Sequence, residues 1–238
     1  MTTPNKPRIQ PVNVDLNEPL RSKMAKVFPA ALPSPNLYRS VARNQNLFID
    51  MIDMGFIGPT GLMDRKTIPP RRRELLILRT CMQARNEYEF HLHERTISER
   101  MGLTALEIED LKSAGINKDL WSDEDISLIA LVDVLVNTTS VADDVFEQVA
   151  KYFCEAELIE MTQLIGLYTS VAMLVSLFRP ELDPDYVWMV SVSCVWTYRD
   201  CTCGFYGWVC RFLSAGVPLA IPTQEQLGNR RVANLIRI

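Results

Sequence analysis

Between Asn36 and Phe178 the apolar residues recur at three- and four-residue spacings, and no stretch before Pro180 alternates with the period of two that a half-buried strand needs. Residues 1–35 are rich in proline and asparagine around one helical patch, LRSKMAKVF, and read as an extended arm with a turn or two of helix. A helix is predicted over NLYRSVARNQNLFIDMID, interrupted by Gly55, Gly58 and Pro59. The next helix opens at Pro69 and Pro70, where a missing N–H costs nothing, and runs through RRRELLILRTCMQAR. NEYEFHLHERTISERMG continues as helix and stops at Gly102, a natural left-handed terminator. Thr104 and Glu107 form a capping box for ALEIEDLKSA, which Gly115 closes. Ser122 with Asp125 starts ISLIALVDVLVN, and Ser140 with Asp143 starts DDVFEQVAKYF. AELIEMTQLIGLYTSVAMLVSLF is apolar on most sides and is expected to be central. The pattern therefore predicts an all-α bundle over residues 36–184.

After Pro180 the composition changes. YVWMVSVSCVWTYRDCTCGFYGWVC is dense in aromatic, β-branched and cysteine residues and has no polar helical face, so residues 185–238 read as a separate tail. Its run from Val187 to Tyr198 is too short to cross a bilayer and ends in Arg199 and Asp200, which argues against a membrane anchor. Four of the six cysteines, Cys194, Cys201, Cys203 and Cys210, lie there, while Cys81 and Cys154 stand alone. One C-x-C is a weak zinc signal, since structural zinc favours paired knuckles, and no metal is expected. Composition narrows the classes further. A net charge of −4 gives no broad phosphate-binding surface and so no nucleic-acid partner, and 47% hydrophobic residues over 238 suffice for a sizeable core. The N-terminus lacks an apolar signal region, from which a cytosolic protein with reduced thiols is expected.

The candidate chemistry lies between Arg71 and Gly102. Glu74, Leu78 and Cys81 share one face of their helix, and Asn86, Glu89 and His93 share one face of the next. A polar stripe on a largely buried helix is costly unless its members pair or face a cavity. Glu89 and His93, four apart, are placed for a carboxylate–imidazole contact that would fix the ring tautomer and raise its basicity, although such a pair also arises by chance on a solvated surface. His91 points the other way round the helix and is expected to be exposed or at a subunit contact. Cys81, set among Leu75, Leu76, Ile77 and Leu78, reads as a core cysteine before a reactive thiol. Tyr168 and Glu160 on the last helix are candidate lining residues. Asp133, Asp143 and Asp144 read as helix-surface and cap residues.

The stretch RRRELLILRTCMQARNEYEFHLHERTISERMGLTALEIEDL resembles the core motif of the carboxymuconolactone decarboxylase-like and alkylhydroperoxidase D-like superfamily. The subgroup signature E-Y-E-W-x-x-H stands here as Glu87, Tyr88, Glu89, Phe90, His91, Leu92 and His93, with phenylalanine in place of tryptophan. The likeness extends from about Arg8 through Pro184. It implies an alkylhydroperoxidase D-like helical bundle, assembly as a homo-oligomer with the site near subunit contacts, and a glutamate at Glu74. The family's peroxidases carry a C-x-x-C pair, and its two positions fall on Asn86 and Glu89, neither of which forms a thiolate.

The resemblance therefore implies the decarboxylase branch. The expected activity is cofactor-free decarboxylation, or a related lyase or isomerase step, on a small carboxylated or lactone-bearing molecule. His93 is the expected proton donor or shuttle, Glu89 its orienting partner and Glu74 a second acid or base. Arg72, Arg73, Asn86 and Tyr168 are the expected substrate-binding residues, and Arg79 a structural or subunit-contact cation. The rivals are a thiol peroxidase or disulfide reductase using Cys81 or another thiol, and a non-catalytic assembly partner.

Overall fold

The computed structural model describes residues 6–28, 34–58 and 61–183. Among these the protein is all-helical, with nine α-helices, two short 3₁₀ turns and no strand. The tail from residue 185 on, with its four cysteines, lies outside the described residues.

The helices are α1 (Leu20–Val27), α2 (Asn36–Val41), α3 (Gln45–Asp53), α4 (Pro70–Gln83), α5 (Glu87–Thr96), α6 (Ala105–Leu111), α7 (Asp123–Thr138), α8 (Asp143–Val149) and α9 (Glu155–Phe178). Helix α4 is the hub. Pro69 caps it and Pro70 occupies its first turn, and every residue from Glu74 to Cys81 is buried, so no face is left for water. It packs on α5, α6, α7 and α9. Leu75, Leu76, Leu78, Leu111, Leu128, Val132, Met161 and Leu164 fill the core between these helices. Cys81 belongs to this cluster, fully buried, as its apolar neighbours predict.

A second cluster joins the arm to the bundle. Leu20 and Met24 of α1 pack with Leu37, Tyr38 and Phe48 of α2 and α3, and with Tyr88, Val171 and Phe178 of α5 and α9. Arg8 N–H donates to the Phe178 carbonyl at 2.8 Å, which ties the arm to the end of α9. Helix α9 has 24 residues and is long and apolar enough to cross a membrane by length and composition. Its most apolar stretch is 44% buried within the protein, as in the core helix of a bundle.

Local chemistry explains where the helices stop. Thr104 and Glu107 make the reciprocal capping box of α6, and Ser122 accepts from Asp125 N–H to start α7, both as predicted. The predicted helix over 36–53 is instead two, because the Asn44 side chain accepts from Leu47 N–H and caps a new start at α3. Ser140 does not cap α8, whose cap is Ala142 without a side-chain bond; Ser140 N–H donates to Thr138 Oγ1. Helix α5 ends at Thr96 and does not run on to Gly102. The chain turns through Ser98 to Gly102, whose φ of +102° only glycine adopts easily and whose Cα lies against Arg71. That early stop brings Ser98 back toward α4.

Candidate active site

Helices α4 and α5 run antiparallel around a short turn, with Asn86 N–H donating to the Cys81 carbonyl at 2.8 Å. Their predicted polar stripes meet at this seam. Glu74, Glu89, His93 and Asn86 are all buried, and Tyr168 of α9 closes over them. Their side chains are buried between the helices and approach one another there.

Glu74 and His93 form the tight pair: His93 Nδ1 lies 3.0 Å from Glu74 Oε1. A carboxylate only accepts, so Nδ1 carries the proton and donates. Ser98 Oγ donates to the same oxygen at 2.7 Å. On its other edge His93 Nε2 lies 3.7 Å from Glu89 Oε2 and 3.4 Å from the Tyr168 hydroxyl. The 3.7 Å separation exceeds a hydrogen bond. The Tyr168 ring meets the imidazole edge-on, with centroids 5.6 Å apart. The orienting partner of His93 is therefore Glu74 across the seam, not Glu89 on its own helix as the four-residue spacing suggested. Glu74 reaches Nδ1 within hydrogen-bond distance, while Glu89 stands beside the far ring nitrogen without closing a bond.

The protonation states diverge between the two carboxyls. Burial alone would raise Glu74, but the His93 charge and the hydrogen bonds from His93 and Ser98 outweigh it and hold its pKa below the ordinary 4.5. Burial pushes Glu89 from 4.5 up to about 7; His93 opposes the rise, and Asp183 and Glu74 add to it. Burial also opposes the His93 charge, yet Glu74, by charge and hydrogen bond, and then Glu89 outweigh it and raise the imidazole pKa. Two neighbouring carboxyls with opposite shifts thus flank an imidazole whose pKa is raised.

Four buried polar atoms here have no hydrogen-bond partner: Glu74 Oε2, Glu89 Oε1, Asn86 Nδ2 and Arg73 Nε. Each such atom costs about 1–3 kcal/mol when left unpaired in the interior. Arg73 and Glu74 lie near the start of α4, and Asn86 and Glu89 at the start of α5. Buried polar atoms are usually paired, so four unpaired ones on two adjoining helices mark this region out.

The remaining candidates separate. Arg73 stays at the seam, its Nη1 paired with Asp64 and its Nε free, and it acts on both Glu74 and His93 by charge. Arg72 is turned away from the seam, paired with Glu124 and Glu157 and stacked 4.7 Å over Phe153, so it does not join the site. Asn86 caps α5 through its Oδ1, accepting from Glu89 N–H at 3.2 Å. Arg79 is a structural cation as expected, but its partner corrects the reading of Asp133, which is the counter-charge of a buried arginine and not a surface residue alone. Glu160 accepts from Thr67 and pairs with Arg65 outside the seam. His91 is partly exposed beside Glu94. Burial, with Glu89 and Glu74, pushes the Cys81 thiol well above its ordinary pKa, away from thiolate reactivity. Among the described residues no cluster of His, Cys, Asp and Glu could hold a metal ion. Ser98 was not legible beforehand, because it sits beyond the helix end that spacing arguments follow.

Comparison of the chain with protein-family models, with curated proteins and with solved structures returns no match.

Proposed function

We propose that the chain is a cofactor-free acid–base enzyme, a decarboxylase or a related lyase or isomerase, acting on a small carboxylated or lactone-bearing molecule. The observation that carries this reading is the buried triad of Glu74, His93 and Glu89, with opposite carboxyl shifts and four unpartnered polar atoms along one seam. The unpaired atoms of this cluster cost the fold stability. Loss of carbon dioxide from a lactone acid leaves an extended enolate, which needs a proton donor at carbon and donors around its oxygen. His93, raised in pKa and anchored by Glu74, is the proton donor. Arg73, through its free Nε–H, holds a substrate carboxylate, and Tyr168 bounds the far side of the imidazole.

The resemblance to the carboxymuconolactone decarboxylase-like superfamily supports the same reading, and Asn86 and Glu89 at the dithiol positions weigh against thiol peroxidase chemistry. So does a Cys81 thiol that is fully buried. Assembly as a homo-oligomer belongs to this proposal. The outer face of α9, where Ile159, Met173 and Leu177 are exposed, supports it.

The test is turnover of candidate lactone acids by the purified protein and by His93→Ala, followed as loss of carbon dioxide by mass spectrometry. The expected loss in the variant is about 10²–10⁴-fold. Equal turnover by both removes His93 from the chemistry.

A further inference from the structure

Asn86 is held by its own cap. Because its Oδ1 accepts from Glu89 N–H at 3.2 Å, the amide orientation is set and Nδ2 is left as a donor. That Nδ2 is buried and has no partner. Glu89, three residues on and on the same face of α5, is fully buried, and its Oε1 is also unpartnered. Its Oε2 stands 3.7 Å from His93 Nε2, beyond hydrogen-bond reach, while Glu74 and Ser98 complete the imidazole pair without it. Glu89 is thus surplus to the relay that positions His93. It follows by three residues an amide whose Nδ2 lacks an acceptor and whose Oδ1 caps the Glu89 N–H, at the N-terminal end of a ten-residue helix.

We propose that Asn86 Nδ2 and the Glu89 carboxyl, in its neutral acid form, are a two-donor hole for the carbonyl oxygen of the substrate and for the enolate oxygen it becomes. The proposal rests on the acid–base reading above and reassigns Glu89 from imidazole partner to oxygen donor. In the step it serves, the bond between the substrate carbon and its carboxylate breaks and carbon dioxide leaves. The electron pair moves through the conjugated carbons to the carbonyl oxygen, held by the Asn86 amide N–H and the Glu89 O–H. The pair then returns to carbon, which takes the His93 proton, and His93 is reprotonated by water. One proton is consumed for each carbon dioxide released. Two fixed donors at the oxygen that gains charge stabilise the transition state more than the bound acid.

The groups around Glu89 fit this role. Glu74 and Cys81 of α4, Tyr88 and His93 of α5, Tyr168 of α9 and Asp183 all act on it or are acted on by it. Of these His93 alone favours its ionised form; Glu74, Asp183 and burial favour the acid. Below about pH 7 the Glu89 carboxyl is in its acid form and donates, as an ionised one cannot.

Glu89→Gln separates the two roles, since glutamine keeps the shape and a neutral donor but cannot ionise. The hole requires Glu89→Gln to keep kcat within about 10-fold and to lose the alkaline fall in kcat near the Glu89 titration, whereas Glu89→Ala loses about 10²–10³-fold. Asn86→Ser, which retains a capping oxygen while removing Nδ2, loses a similar factor. Glu89→Gln as inactive as Glu89→Ala overturns the proposal, as does full activity in Asn86→Ser. An infrared measurement reads the same point without turnover. With 2(5H)-furanone as probe, its carbonyl stretch moves to lower frequency on the wild-type protein and on Glu89→Gln, and stays at its solution value on Glu89→Ala. A protonated-carboxyl band present at about pH 6 and absent from Glu89→Gln is expected alongside. No such band overturns the hole even where lactone acids are turned over, and a shifted furanone with no turnover upholds the hole while ending the decarboxylase reading.

Discussion

Arg79 and Glu74 sit five residues apart on α4, so the helical turn sends them to different faces, and both are buried to within about a hundredth of their surface. The arginine is fully answered. Its Nε and Nη2 hold both oxygens of Asp133 at 2.6 and 2.7 Å, and its remaining donors reach the carbonyls of Leu111, Ser113 and Ala114. Gln83 adds a further bond to Asp133 at 2.7 Å. All five guanidinium donors are used, and the cation staples the end of α6 and the flank of α7 to the hub. Across the helix, Glu74 leaves one oxygen unpartnered, and Glu89, Asn86 and Arg73 each leave an atom likewise. Burial and charge are common to the two regions; satisfaction is not. The two regions differ in whether their buried polar atoms are paired, and the proposed site lies where they are not.

The comparison breaks most readily on the stapled side. Arg79→Ala strips a buried counter-charge from Asp133 and frees three carbonyls, and the expected loss is about 3–5 kcal/mol of unfolding free energy in urea titrations. A loss under about 1 kcal/mol would show that saturation of its hydrogen bonds does not mark a structural cluster, and the contrast with the seam would lose its meaning.

The seam side is sharpened by pH. Glu89 has a folded pKa raised from 4.5 to about 7, so its neutral form favours the fold, and that contribution is complete below the unfolded value and lost as pH rises through about 7. The shift corresponds to roughly 3 kcal/mol. Glu89→Gln cannot ionise, so its stability relative to the wild type should climb by up to that amount between pH 4.5 and about pH 8 and then level off. Parallel stability curves for the two proteins across that range would mean that Glu89 ionises in the fold as freely as in water.

How much of this was legible in the sequence follows the same division. The hub helix announces itself, since Leu75, Leu76, Ile77 and Leu78 between Glu74 and Cys81 leave no solvent face, and the capping box at Thr104 is a local pattern with a local cause. The polar stripes of α4 and α5 were also readable, because three- and four-residue spacing fixes which side chains share a face. What crosses between helices was not. The pairing of His93 with Glu74 in preference to Glu89, the turning of Arg72 toward Glu124 and the burial of Arg79 on Asp133 all depend on which faces dock. Asn44 broke one predicted helix into two, since an asparagine within an amphipathic run reads as a tolerated polar residue until its side chain is seen to cap.

Ser98 lies between the two regimes and carries the smallest effect. It is buried and well paired like Arg79, yet its partner is Glu74, a member of the unsaturated seam. Ser98→Ala removes one hydrogen bond to a buried charge, worth about 2 kcal/mol. Its pH dependence decides what kind of residue it is. Glu74 has a depressed folded pKa, so its contribution is present above the unfolded value and is lost as pH falls through the folded one. Ser98 supplies part of that depression, together with the stronger influence of His93. The gap in stability between wild type and Ser98→Ala should therefore be full at neutral pH and close in acid, as Glu74 takes up its proton and no longer needs the hydroxyl. Urea midpoints measured from about pH 7 down to about pH 3 read this directly. A gap that stays constant over the range would place Ser98 with the core, filling space beside the site without holding its charge.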